Sequence, residues 1–348
     1  MFFSICRLYF NGQSSTLLTH PFVDFVFKPR QILSFCIIYV LFNFSSPSFA
    51  STNFLQPQYD TDEYYSETFT VFADIPDGQY LYAQIGISNL GPGDRNGFCR
   101  IMLAKPEQQT FNHSKIYKNS GWHYSSLENE TLKIGDCALE KNKSGIVFTG
   151  TLENKSLMVN LQSKPTFHAI PHNKLRKKDG RYQPDILVPW SRAKARLNEH
   201  SLSGFGYADH SISTLLPASL AFRWIRIRAI NEGNAHLALV RYPDNKNRPH
   251  LNFSGWIWQQ KQQPKLLKHV QYTPSTLPKV SLGYDEQTMS VSATDLLFRQ
   301  APLEENGVLG TLLSKIIGNP VTYTYRASIK TSQGKHFSGI LEVANTNE

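Results

Sequence analysis

The stretch Ser203–Pro217, SGFGYADHSISTLLP, decides how this chain is read. Glycines and aromatics alternate up to an Asp-His pair. A run with three arginines, FRWIRIRAI (Phe222–Ile230), follows soon after. Both runs suit strands, where successive side chains face opposite sides. Tyr207, Asp209 and Ser211 then share one face, and His210 and Ile212 the other. In the second run Trp224, Arg226 and Arg228 share a face, while Ile225, Ile227 and Ala229 form an apolar one. Neighbouring strand residues rarely point together, so Asp209 and His210 do not form a dyad merely by adjacency. Asp209 is a plausible partner for the arginines, because a guanidinium fork matches a carboxylate. The group reads as a ligand-pocket rim or as a structural ion pair at a barrel corner. Gly204 and Gly206 lack the spacing and strand-to-helix context of a phosphate loop and are expected to let the chain bend.

Short alternating runs extend in both directions. TFTVFADI (Thr68–Ile75), YLYAQIGISNL (Tyr80–Leu90) and FCRIMLA (Phe98–Ala104) are separated by PDGQ and GPGDRNG, turn sequences of an antiparallel meander. Thr131–Gln162 reads as three more strands. Pro165–Leu197, rich in Pro and charge, reads as a crossing linker. A second series of strands runs from Leu202 to the closing SGILEVANT, interrupted by one helix expected over Pro302–Gly318. The fold class is therefore all-β: two tandem antiparallel β-barrels with one short helix in the C-terminal half. The domains are a presequence over 1–50, a first barrel and linker over 51–200, and a second barrel over 201–348.

Composition agrees. Among 348 residues, 22 Phe and 16 Tyr favour strands. The net charge of +9 is mostly scattered, and its densest runs, Lys174–Arg181 and Ser191–Arg196, lack the interleaved aromatics of a nucleic-acid groove. They read as solvated faces, with no nucleic-acid partner expected and a peripheral membrane contact left open. Near the N-terminus KPRQ (Lys28–Gln31), the apolar ILSFCIIYVLFNF (Ile32–Phe44) and SPSFA (Ser46–Ala50) compose a secretory signal ending near Ala50. Translation is expected to start near Val26, and the protein to be exported, periplasmic or secreted. Of four cysteines, Cys6 and Cys36 leave with the signal, so Cys99 and Cys137 are a candidate disulfide. Sequons stand at Asn112, Asn129, Asn142, Asn154 and Asn252. No Cys/His spacing suggests a metal and no motif implies a cofactor.

At GFGYADHSIST and FRWIRIRAI the chain resembles a lipocalin-like (calycin) superfamily, through its Gly-x-Gly-Tyr-x-Asp-His signature. That group holds the survival-factor family, the carotenoid hydratases (hydroxyneurosporene synthases) and pericyclase-type cyclases. ISNLGPGDRNG, LKIGDCALEKNKSGIVFTG and SGILEVANT are similar to turns and strands of the survival-factor branch. The resemblance implies two lipocalin-like barrels with a pocket for a hydrophobic ligand in or between them. DHSIST departs from the Asp-His-Asn-Trp-Gly run of the hydratases.

Three functions follow. The first is binding or transport of a hydrophobic, lipid-like molecule, linked through the resemblance to oxidative stress, with Tyr207, Asp209, His210, Trp224, Arg226 and Arg228 as the pocket residues. The second is a cofactor-independent hydratase, isomerase or cyclase in which Asp209 or His210 supplies a proton. The third is a structural envelope protein. Oligomeric state is left open.

Overall fold

The structure is a computed structural model that describes residues 53–90, 93–165, 175–177, 180–243, 253–301 and 319–346. The signal segment and the helix expected over residues 302–318 lie outside the described residues.

Two large antiparallel sheets account for nearly everything described. The first contains β1 (Ser66–Asp74), β2 (Tyr80–Ser88), β3 (Asn96–Ala104), β4 (Phe111–Tyr117), β5 (Trp122–Ser125) and β6 (Glu130–Ile134). It continues with β7 (Cys137–Lys141), β8 (Ile146–Leu152), β9 (Lys155–Leu161), β10 (Leu175–Lys177), β11 (Gly180–Leu197) and β12 (His200–Ser213). The second contains β13 (Arg223–Asn231), β14 (Asn234–Tyr242), β15 (Ser254–Gln259), β16 (Lys265–Leu266) and β17 (His269–Thr273). Its remaining strands are β18 (Lys279–Tyr284), β19 (Gln287–Gln300), β20 (Val321–Thr331) and β21 (His336–Asn345).

Both sheets wind the same way. In each, the first strand pairs with the last, β1 with β12 and β13 with β21, and the meanders run outward to two edges consecutive in the chain. The edges β16 and β17 are drawn together. Leu267 donates its amide to Gly255 O at 3.0 Å, and Lys268 donates to Gly283 O at 2.8 Å. In the first barrel the Cys99–Cys137 disulfide ties β3 to β7, with Cα atoms 6.3 Å apart. Both cysteines lie within its core.

Three apolar cores result. Phe69, Ile85, Ile101, Phe148 and Val159 help fill the first barrel, and Ile225, Ile227, Leu282, Val291 and Ile329 help fill the second. Each such side chain, buried to 1 % exposure or less, adds about 1.5–3 kcal/mol. A third cluster, with Phe72, Tyr80, Tyr207, Trp224, Leu237 and Trp256, joins the outer faces of the two barrels.

Three sequence expectations are corrected. The linker read over 165–197 ends in an 18-residue strand, β11. Pro184 and the bulges between Ile186 and Ser191 interrupt its period. Yet in Ser191–Arg196 the alanines are buried and Arg192, Lys194 and Arg196 exposed, the alternation of a half-buried strand. Residues 201–213, assigned above to the second barrel, close the first barrel through β12, since Thr70 pairs with Asp209 and Phe72 with Tyr207. Gly204 and Gly206 do not mark a bend between barrels. They sit within β12, where a Cβ would come within 2.2 Å of Asp74 O and 2.7 Å of Phe72 O respectively.

Candidate functional site between the barrels

Strand alternation presents one row of side chains from each barrel to the other. On β12 the row is Tyr207, Asp209 and Ser211, flanked by Ile186 and Pro184 of β11 and by Phe72 and Thr70 of β1. On β13 it is Trp224, Arg226 and Arg228. Register sets Arg241, Leu239 and Leu237 of β14 on one side of this row and Ala344, Glu342 and Ile340 of β21 on the other. Trp256 and Trp258 of β15 extend the same face beyond β14.

Between the rows lies a cleft of about 50 Å³, walled by Tyr182, Ile186, Tyr207, Leu237, Leu239 and Trp256, with Asp209, Arg226 and Arg228 among its polar lining. It is large enough for a few water molecules and far below the several hundred Å³ of a pocket that swallows a drug-sized ligand. It has room for a small polar group and not for a whole drug-sized molecule.

A charge-balanced group underlies it. Arg228 lies 3.8 Å from Asp209 Oδ2 and donates to Glu342 Oε2 at 3.4 Å, and Arg226 donates to Glu342 Oε1 at 2.8 Å. The Arg228 guanidinium of the second barrel sits 5.4 Å from the ring centroids of both Phe72 and Tyr207 of the first, a cation–π arrangement. Burial works against the Glu342 charge, but Arg226 and Arg228 outweigh it and hold the carboxyl below its ordinary range. Burial, then the negative charge of Asp209, pushes the Tyr207 phenol well above its usual pKa. Tyr182 is raised by burial first, against the pull of Arg226. Both tyrosines thus stay neutral hydroxyls near a carboxylate, able to donate a hydrogen bond. The arrangement can bind an oxygen, orient it and accept a proton at Asp209.

The sequence-derived candidates divide. The structure brings Tyr207, Asp209, Arg226 and Arg228 together. Trp224 stands behind the wall, edge-on to Tyr182 with centroids 5.4 Å apart. His210, grouped above with the pocket residues, faces the other way and is 2 % exposed inside the first barrel. It stacks on Phe69 and its Nε2 lies 2.7 Å from Glu67 Oε1. Glu67 also accepts from the Tyr65 hydroxyl and from the Gln58 amide. The opposite pointing of Asp209 and His210 follows from the strand alternation argued above.

Glu342, Tyr182 and Trp256 escaped the sequence reading. Alternation in SGWIWQ places Trp256 and Trp258 on one face, a signal present in the sequence. Glu342 stands in the closing strand but becomes a partner of Arg226 only through register with β13.

No known family profile matches the chain, and no curated protein matches it by sequence. Solved structures do match. An AttH protein from Nitrosomonas europaea superposes with a TM-score of 0.58 at 13% identity, over 86% of this chain and 99% of its own. CghA, solved with Sch210972, gives 0.54 at 8% identity, over 82% and 89%. Kievitone hydratase from Nectria haematococca gives 0.51 at 10% identity, over 85% and 95%. The likeness establishes the two-barrel, lipocalin-like architecture for this chain.

Proposed function

We propose that the inter-barrel cleft performs cofactor-free proton-transfer chemistry, a hydration, isomerisation or cyclisation, on the polar end of a largely apolar molecule. The observation behind this reading is the Asp209–Arg228–Glu342–Arg226 group, set with neutral Tyr207 and Tyr182 in an aromatic-walled cleft. A site of that volume grips a head group rather than a whole lipid. The barrel interiors, where a carrier of the lipocalin kind would hold its cargo, are filled by side chains. Two of the superposed proteins support the choice: one is named a hydratase, and CghA was solved with the small molecule Sch210972.

In this reading Asp209 accepts a proton from water or from a ligand carbon, with Tyr207 holding the carboxylate in place. Arg226 and Tyr182 bind the ligand oxygen. In a hydration the water O–H bond breaks at Asp209, a C–O bond forms as the substrate's C=C π bond opens, and the proton returns from Asp209 to the neighbouring carbon. Proton transfer by a positioned side chain contributes about 10²–10⁴-fold. The Cys99–Cys137 bridge supports export, since such bonds persist in oxidising compartments.

The test is incubation with largely apolar alkenes that end in a hydroxyl or a carboxyl group, in deuterated water, read by mass spectrometry. Deuterium uptake or addition of water should fall about 100-fold in Asp209→Asn. Ligand retention without any turnover in the native chain would reject the catalytic reading and restore the carrier.

A further inference from the structure

Two donors beside the cleft, Trp256 and Arg241, lack the acceptors their burial calls for, and a third, Arg226, is open to the outside. Trp256 lines the cleft and is 5 % exposed, yet its indole Nε1 has no partner. A buried donor left unmatched is a destabilising feature that a folded chain rarely keeps without a use. Arg241 is half-buried two residues along β14 from Leu239, whose side chain walls the cleft. Its Nε donates to Ser254 Oγ at 3.1 Å, and no carboxylate among the described residues pairs with it. Burial lowers its pKa, opposed only by Tyr182, as expected of a cation without a counter-charge. Arg226 is engaged by Glu342 through Nη1 and by the Tyr182 hydroxyl, yet its side chain remains 39% exposed and reachable by a ligand.

The three converge. Arg241 pairs in register with Ser254 and Leu239 with Trp256, so the guanidinium and the indole occupy adjacent rows of one face. Tyr182 is in electrostatic reach of both Arg226 and Arg241. The deeper carboxylates are already engaged: Glu342 by two arginines, Asp209 by Arg228, and Asp185 by the side-chain amide of Gln183.

We infer that this lip is an anion subsite, and that the molecule processed in the cleft carries an acidic head, a carboxylate or an enolised dicarbonyl. The head is bound as its anion by Arg226 and Arg241, with the Trp256 indole donating the remaining hydrogen bond. A planar two-oxygen anion suits two guanidiniums better than an alcohol or a neutral amide does. The inference rests on the cleft being the ligand site proposed above, and it adds the chemical class of the ligand.

The probes are phenylacetate and phenylacetamide, equal in shape and different in charge. Affinity is followed by calorimetry, and location by the indole N–H resonance that disappears in Trp256→Phe. Phenylacetate should shift that resonance and bind about ten-fold or more tightly than the amide. Arg241→Gln should remove about ten-fold of the acid's affinity and leave that of the amide unchanged, with Arg241→Lys intermediate. Equal binding of acid and amide at this resonance, or an acid-to-amide ratio indifferent to Arg241→Gln, overturns the acidic head and leaves the catalytic cleft standing. Acid binding that leaves the resonance unmoved is surface attraction and also overturns the subsite. If neither probe moves Trp256, the subsite and the cleft itself are both rejected.

Discussion

Asp209 and His210 are consecutive residues, and they belong to different worlds. Asp209 looks out of the first barrel into a small cleft shared with the second, its side chain 20% exposed. His210 looks inward, against Glu67, Tyr65 and Phe69, where water does not reach. One peptide unit separates a group free to meet a ligand from a group that fastens the chain to itself. The Glu67 carboxylate accepts from three donors on the lead-in chain and on β12, so it resembles a clasp. The Asp209 carboxylate has one cation at 3.8 Å and the Tyr207 hydroxyl, so it is less fully engaged than Glu67. The same side-chain chemistry does different work because strand alternation sorts it by face.

The contrast can be broken from the sealed side first. Glu67→Ala leaves His210, the Tyr65 hydroxyl and the Gln58 amide unmatched in a dry core. A loss of about 3–5 kcal/mol in denaturant unfolding is expected. If Glu67→Ala costs no more than a surface substitution, the clasp is not structural. Replacing Cys99 and Cys137 together by Ala should cost somewhat less. The bridge spans a sequence separation of 38 residues, and loop-closure entropy gives about 4 kcal/mol as an upper figure, measured as the shift in unfolding midpoint.

The second barrel has its own sealed histidine. Burial first, then Lys335, pushes His236 from 6.5 down to about 4. The folded chain therefore holds fewer protons at this site than the unfolded chain between those values. Stability from keeping His236 neutral is fully present above pH 6.5 and is lost as pH falls toward 4. The loss amounts to about 3 kcal/mol at most, and the difference in unfolding free energy between the native chain and His236→Gln should trace it. The smallest effect on folding is expected on the open side. Asp209→Asn should change stability by about 1 kcal/mol or less while lowering turnover by about two orders of magnitude. A large stability loss in Asp209→Asn would erase the distinction between the two faces.

Much of this was legible in one dimension. Period-two alternation assigned Asp209 and His210 to opposite faces, put Arg226 and Arg228 beside Trp224, and marked Ile225 and Ile227 as interior. The Cys99–Cys137 pair was countable. What escaped was register. Nothing near His210 in sequence announces Glu67, 143 residues earlier, and nothing near Arg226 announces Glu342, 116 residues later. Such partners are fixed by which strands become neighbours, a property of the whole winding. β11 was missed for a different reason: alanine contributes little apolar signal, so alternating Ala with Arg and Lys reads as charge rather than as strand.

The single passage of chain between the barrels, residues 214–222, has a further consequence. Every contact across the cleft, including Arg228 with Asp209 and Arg326 with Asp74 at 2.7 Å, is made between two modules tethered at one point. Their shared surface is that of a heterodimer whose subunits happen to be fused. Severing the tether would leave two fragments, each with its own core, that should find each other again by the same complementary charges. The covalent link then acts chiefly as local concentration, and the inter-barrel cleft is a quaternary structure written into one polypeptide.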